Sequence, residues 1–140
     1  MMTKAEIILV EDDPDDVYLF MSACEHLAPQ PHVAVLGNGA ELVELIEQED
    51  CRDKVILIDL NMPVMDGLET MAKLNTLPEK DTLCFIGFTT SSNQNDVKRA
   101  YELGAKSFIS KPATLVEMID LLQTLSRYWF KFNRFYKEVQ

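Results

Sequence analysis

The sequence predicts an α/β fold of the doubly wound kind, a central parallel sheet with helices on both faces. Three observations carry this. Aliphatic runs such as Val55-Ile56-Leu57-Ile58 show no polar alternation, so both faces of those strands must be covered. Five such runs alternate with five helical patterns, and right-handed crossovers would distribute the helices over both faces. Acids, hydroxyls and a lysine gather where the apolar runs stop, the edge at which open α/β sheets place their sites. At 140 residues the chain suits one domain. Its 47% hydrophobic and 26% charged residues are those of a globular protein, and no apolar run approaches the ~20 residues of a membrane span. The N-terminus leads into a strand without a signal-like segment, so a cytoplasmic protein is expected. A net charge of −10 argues against direct nucleic-acid binding. Cys24, Cys51 and Cys84 have neither disulfide parity nor metal-ligand spacing and read as reduced, buried thiols.

The first strand, Glu6 to Val10, ends in Glu11-Asp12-Asp13-Pro14-Asp15-Asp16. Asp13 suits a helix N-cap, Pro14 the first helical position, and Asp15 and Asp16 the positive end of the helix dipole. Glu11 and Asp12 precede the cap. Two like charges at a strand end repel unless a cation lies between them, so this pair is a candidate for a hard divalent ion. Helix one runs from Val17 to Leu27, stopped by Pro29 and Pro31. A second strand spans His32 to Leu36, with His32 at its solvent entry. Gly37-Asn38-Gly39 then opens a helix carrying Leu42, Val43, Leu45 and Ile46.

The third strand, Lys54 to Asp59, delivers one carboxylate to its carboxyl end. Met62-Pro63 leaves the strand and Asp66-Gly67 turns into a helix from Leu68 to Leu77, closed by Pro78, with Met65 and Met71 as packing residues. The fourth strand, Thr82 to Phe88, ends in Thr89-Thr90-Ser91-Ser92-Asn93. Ser92 or Asn93 suits the next N-cap, and the Thr89 hydroxyl would project beside Asp59. Val97, Ala100, Tyr101 and Leu103 are expected to give helix four its inner face, with Gly104 as its C-terminal stop. The fifth strand, Lys106 to Ser110, ends at Lys111-Pro112, where Lys111 is either a solvated flank or a cation facing the acidic rim. Helix five spans Thr114 to Ser126. Glu11, Asp12, Asp59, Thr89 and Lys111 would thus meet at one edge. Three acids, a hydroxyl and an ammonium there suit phosphoryl transfer, with Asp59 as nucleophile and Thr89 and Lys111 on phosphoryl oxygens.

Over residues 5–126 the sequence resembles the receiver domain of two-component response regulators. The matching motifs are Ile8-Leu9-Val10-Glu11-Asp12, Ile58-Asp59-Leu60-Asn61-Met62-Pro63, Met65-Asp66-Gly67, Thr89-Thr90-Ser91 and Phe108-Ile109-Ser110-Lys111-Pro112. The resemblance implies a flavodoxin-like (βα)5 sandwich with strand order 2-1-3-4-5. It implies Asp59 as phosphoacceptor and Mg2+ held by Glu11, Asp12, Asp59 and the Asn61 backbone carbonyl. It also implies Thr89 and Lys111 as the pair that senses the phosphoryl group and Phe108 as an aromatic switch, although Phe108 reads equally as a plain strand aromatic. A sensor histidine kinase or phosphotransfer protein would be the donor. The motifs Glu11 to Asp16, Phe88 to Ser92, Ala100 to Ala105 and Tyr128-Trp129-Phe130 further resemble single-domain regulators related to the partners of bacterial phytochromes. That type implies homodimerisation through the fourth and fifth helices, with the fifth strand between them.

Residues 127–140 read as an extension of the receiver domain, 1–126, too short for an effector domain. They hold six of the twelve aromatics, with four basic side chains against one acid. Six rings within nine positions cannot all face inward on a helix, so some should remain exposed for self-association or partner docking. A phosphorylation-independent adaptor is a competing reading, disfavoured because every site residue is retained. A haloacid-dehalogenase phosphatase would need an acid where Asn61 stands.

Overall fold

The computed structural model describes residues 5–90 and 93–135. Strands β1 (Ile7–Val10), β2 (Val33–Leu36), β3 (Val55–Ile58), β4 (Cys84–Thr89) and β5 (Ser107–Ser110) alternate with helices α1 (Pro14–Cys24), α2 (Gly39–Gln48), α3 (Gly67–Leu74), α4 (Gln94–Glu102) and α5 (Leu115–Ser126). The sheet is parallel with order β2-β1-β3-β4-β5, the flavodoxin-like order. The central strands β1, β3 and β4 are buried at every residue, whereas the edge strands β2 and β5 are mostly half-buried.

Two core layers follow from the pleat, which sends alternate side chains to opposite faces. On one face Ile8, Val10, Ile56, Ile58 and Phe85 pack with residues of α2, α3 and α4. On the other, Ile7, Leu9, Leu57, Ile86 and Phe88 pack with Phe20 and Cys24 of α1 and Met118 and Leu122 of α5. The three cysteines are buried and unpaired, and burial pushes their thiols up to about 11 for Cys24 and Cys51 and about 12 for Cys84. Among the described residues no helix is long and apolar enough to cross a membrane.

Each helix starts where its cap chemistry allows. Asp13 accepts from the Asp15 N–H at 2.8 Å, Asn38 from Glu41, and Asn93 from Asn95, while Asp66 and Glu69 form a reciprocal capping box. The alternative cap, Ser92, lies outside the described residues. Two helices end earlier than their apolar spacing suggests. Helix α1 stops at Cys24 and α3 at Leu74, yet Leu27 remains buried and Leu77 half-buried, because the loops that follow keep filling the core.

The segment after α5 continues as π-helical turns over Arg127–Phe132, closed by an Asn133 N–H to Tyr128 carbonyl bond. The wider turn splits the rings. Trp129, Phe130 and Phe135 pack against the α1–α5 layer, whereas Tyr128 and Phe132 are 54% and 62% exposed. Tyr136 lies outside the described residues.

Gly67 opens α3 directly beneath the end of β3. A Cβ there would stand 2.4 Å from the Asp59 carbonyl oxygen and 2.6 Å from the Leu60 Cα, both backbone atoms that cannot turn aside. Gly67→Ala should therefore destabilise the fold by about 3 kcal/mol, read as a lower urea midpoint at unchanged slope. A midpoint equal to that of the wild type would show that the close approach is not obligatory.

Candidate phosphoryl-transfer site

Three backbone bonds carry the sheet ladder past the strand ends and so aim the side chains that follow. The Glu11 N–H donates to the Leu36 carbonyl at 2.9 Å, Asp59 to Val10 at 3.1 Å, and Lys111 to Thr89 at 2.9 Å. Side chains fixed by strands are held more tightly than side chains on free loops. Glu11, Asp59 and Thr89 are buried, and Asp12 is exposed at the rim.

Lys111 spans the site from β5. Its stem crosses the β4 end, with Nζ 5.9 Å from the Phe88 ring centroid, and its ammonium reaches the start of α1. Nζ donates to Glu11 Oε1 at 2.8 Å and to Asp16 Oδ2 at 2.9 Å, and lies 3.5 Å from Asp59 Oδ2. Of the two readings of Lys111, the cation facing the acids is the one observed. Asp16, assigned by sequence to the helix dipole alone, is also a partner of this lysine. Helical phase and the reach of the Lys111 arm bring them together across 95 residues of chain, and no local motif signals that.

One carboxylate oxygen from each of Glu11, Asp12 and Asp59 lies within 4.8 Å of the others. Glu11 Oε2 is buried and has no hydrogen-bond partner. A buried carboxylate oxygen without a partner is costly. Together with two further hard oxygen donors it fits a divalent cation. Burial, and after it the neighbouring Asp59, push the Glu11 carboxyl up to about 9 against the pull of Lys111. Burial opposes charge on Lys111 as well, but its hydrogen bonds to Glu11 and Asp16 raise it above its ordinary value. Burial would also raise Asp16, yet the neighbouring Glu11 and Lys111 hold it below the usual carboxylate range.

Asn61 does more than offer a carbonyl. Its N–H donates to Asp59 Oδ1 at 3.3 Å and its Nδ2 to Thr89 Oγ1 at 3.5 Å, a long bond joining the β3 and β4 ends. Phe108 is half-buried on the same sheet face as Thr89. Its ring occupies the space that the missing side chain of Gly87 leaves, since a Cβ there would stand 2.8 Å from Phe108 Cδ2. In the loop after β3, Val64 sits at φ +69° and is 84% exposed. A β-branched residue there is strained by roughly 1–3 kcal/mol.

A family model described as the response regulator receiver domain matches residues 7–123. The chain is 27% identical over 130 residues to response regulator Rcp1 of a Synechocystis strain, covering 89% of this chain and 88% of that protein. It is 34% identical over 124 residues to the nitrate/nitrite response regulator protein NarL of Escherichia coli, across 86% of this chain but 53% of NarL. Among solved structures, the phosphorylated cyanobacterial phytochrome response regulator RcpA superposes with a TM-score of 0.83 at 26% identity, covering 96% of this chain and 100% of that one. The Mn2+-bound form of Rcp1 superposes at 0.78 and 25% identity, covering 94% and 98%. The matched span contains every strand and every acid, hydroxyl and ammonium described above, and the chain belongs to the response regulator receiver domain family of two-component signalling.

Proposed function

We propose that Asp59 is the phosphoacceptor, that Mg2+ is the resident cation, and that a sensor histidine kinase of the phytochrome-related kind, or a phosphotransfer protein, is the donor. The observation that carries this is the Lys111 ammonium, set among Glu11, Asp16 and Asp59 beside an unpartnered Glu11 oxygen. An Asp59 oxygen attacks the phosphorus of a phosphohistidine, the O–P bond forms as the N–P bond breaks, and the histidine nitrogen keeps the electron pair. Lys111 and Thr89 take phosphoryl oxygens. Glu11, Asp12, Asp59 and the Asn61 carbonyl would hold Mg2+, which when bound supplies charge that screens the acids and the incoming phosphoryl oxygens. Slow hydrolysis returns Asp59 to its free form.

Thr89 is buried, so its movement toward a phosphoryl group vacates space on the face that it shares with Phe108. The Phe108 ring follows inward and changes the surface of α4, β5 and α5. Tyr101, expected on the inner face of α4, is instead 49% exposed, and with the exposed Tyr128 and Phe132 it lies along the elements proposed for a homodimer. Residues 127–140 then act as an appendage of the receiver unit, and the protein as a signalling switch in the cytoplasm.

Incubation of the protein with Mg2+ and acetyl phosphate should add one phosphoryl group, seen in the intact mass, and Asp59→Asn should abolish it. An equal gain by Asp59→Asn would place the acceptor elsewhere.

Cation affinity should depend on pH through Glu11. Between its ordinary value of 4.5 and about 9 the metal-free fold holds a proton that the unfolded chain has released. This contribution to stability is full below that window and is lost as pH rises through it. Mg2+ requires the carboxylate, so its affinity should rise by up to ~tenfold per pH unit from pH 6 toward 8, with proton release in calorimetry across buffers. A flat profile without proton release would remove Glu11 from the ligand set.

For the interface, replacing both Tyr128 and Phe132 by Ala should lower the sedimentation mass toward that of a monomer, while the far-ultraviolet spectrum is kept. An unchanged dimer would exclude these rings from the contact.

A further inference from the structure

We propose that Asp16 is a positioning residue for the phosphoryl-transfer reaction, holding the Lys111 ammonium short of Asp59 in the unphosphorylated protein and releasing it when Asp59 carries a phosphoryl group. This deepens the assignment of Asp59 and Lys111 above and rests on it.

The argument starts from how Lys111 distributes its three N–H bonds. Two are satisfied at short range, by Glu11 at 2.8 Å and by Asp16 at 2.9 Å. The contact with Asp59 is 3.5 Å, an ion-pair distance too long for a good hydrogen bond. The ammonium is therefore drawn toward the first turn of α1 and away from the nucleophile. To reach a phosphoryl oxygen on Asp59 it must lengthen one of its two short contacts.

The two contacts are not equal in what they cost to break. The Glu11 side chain is 1% exposed, so without the lysine it would have no water to turn to. The Asp16 side chain is 40% exposed and can hydrate as soon as the lysine leaves. Breaking the half-solvated pair costs little, whereas leaving the buried Glu11 Oε1 without its donor costs more. Asp16 is thus the contact that yields.

A dipole role alone would not distinguish Asp16 from its neighbour. Asp15 occupies the same turn of α1 and is exposed to solvent. Both acids complement the helix start, but the short bond to Lys111 belongs to Asp16. Asp15→Asn and Asp16→Asn therefore remove the same charge from the same turn and differ in the lysine contact.

The test measures equilibrium binding of beryllofluoride, a phosphoryl mimic, by 19F NMR at saturating Mg2+. Saturation is set separately for each variant, because Asp16→Asn also removes a negative charge near the cation. Asp16→Asn should bind the mimic about two- to fivefold more tightly than wild type, the range of a partly exposed ion pair. The gain should shrink with added salt. Asp15→Asn should match wild type, and Asp16→Ala should repeat the gain should the Asn variant fold poorly. Equal or weaker binding by both Asp16 variants would overturn the proposal. So would an equal gain in Asp15→Asn, which would reduce the effect to net charge. If wild type fails to bind the mimic, or Asp59→Asn still binds it, the site assignment itself fails and this proposal falls with it.

Discussion

One buried ammonium among too many acids is the condition on which the site depends. Lys111 has a side chain only 7% exposed, and it is tolerated there because Glu11, Asp16 and Asp59 surround it. The acids are tolerated for the complementary reason, yet Asp12 joins them at the rim and the charges do not balance. Removing one partner of a buried pair typically costs 3–5 kcal/mol, because the other charge is left uncompensated. The imbalance is useful. A pocket already neutral would have little reason to take up a cation, whereas the excess of acids here favours one, and a cation would in turn offset the charge of the proposed phosphoryl group.

The rest of the fold serves to hold that arrangement in place. Parallel strands covered on both faces bury their own hydrogen-bonded backbones and can end abruptly at a polar residue. The ladder bonds of Glu11, Asp59 and Lys111 continue the sheet through that boundary, so acids and lysine are fixed by the most rigid part of the molecule. Gly67 lets α3 start against the Asp59 carbonyl, and the Asp66–Glu69 capping box fixes where it starts. Both stand where the loop that strains Val64 enters α3. Backbone strain of this kind persists only where the surroundings over-determine the chain.

Legibility in the sequence follows from whether the signal is local. The strands were readable because an apolar run such as Val55 to Ile58 stops at Asp59 with no intermediate polarity, and the caps Asp13 and Asn93 because each acts within two residues of itself, whereas Asn38 and Asp66 read only as turn residues. The functional grouping of Glu11, Asp12, Asp59, Thr89 and Lys111 followed from those strand ends, and the family motifs added the expectations for Asn61 and Phe108. Asp16 was not readable as a lysine partner, since the same residue already satisfies a helix start. The side chain of Asn61 was likewise hidden, because its reach to Thr89 depends on the spacing of β3 and β4. In the terminal segment the number of rings announced that some must be exposed. Which ones depended on the π-helical turn, whose period differs from the 3.6 residues that sequence patterns assume.

The two faces of the sheet divide the site between them. Thr89 and Phe108 lie over the layer formed with α2, α3 and α4, while Lys111 and Phe88 lie over the layer formed with α1 and α5. The terminal rings Trp129, Phe130 and Phe135 pack on the second layer. A signal passing only through Thr89 and Phe108 would have to cross the sheet to reach them. Lys111 needs no crossing: its ammonium rests over Phe88, Phe88 packs edge-on against Phe20 of α1 at 6.1 Å, and α1 packs on α5. The proposed exchange of the lysine between Asp16 and a phosphoryl oxygen would be a change between two discrete arrangements on that same face, which is the kind of element that coupling requires. On that proposal the acid at the start of α1 would tie the chemistry of Asp59 to the helix pair that carries the aromatic terminus.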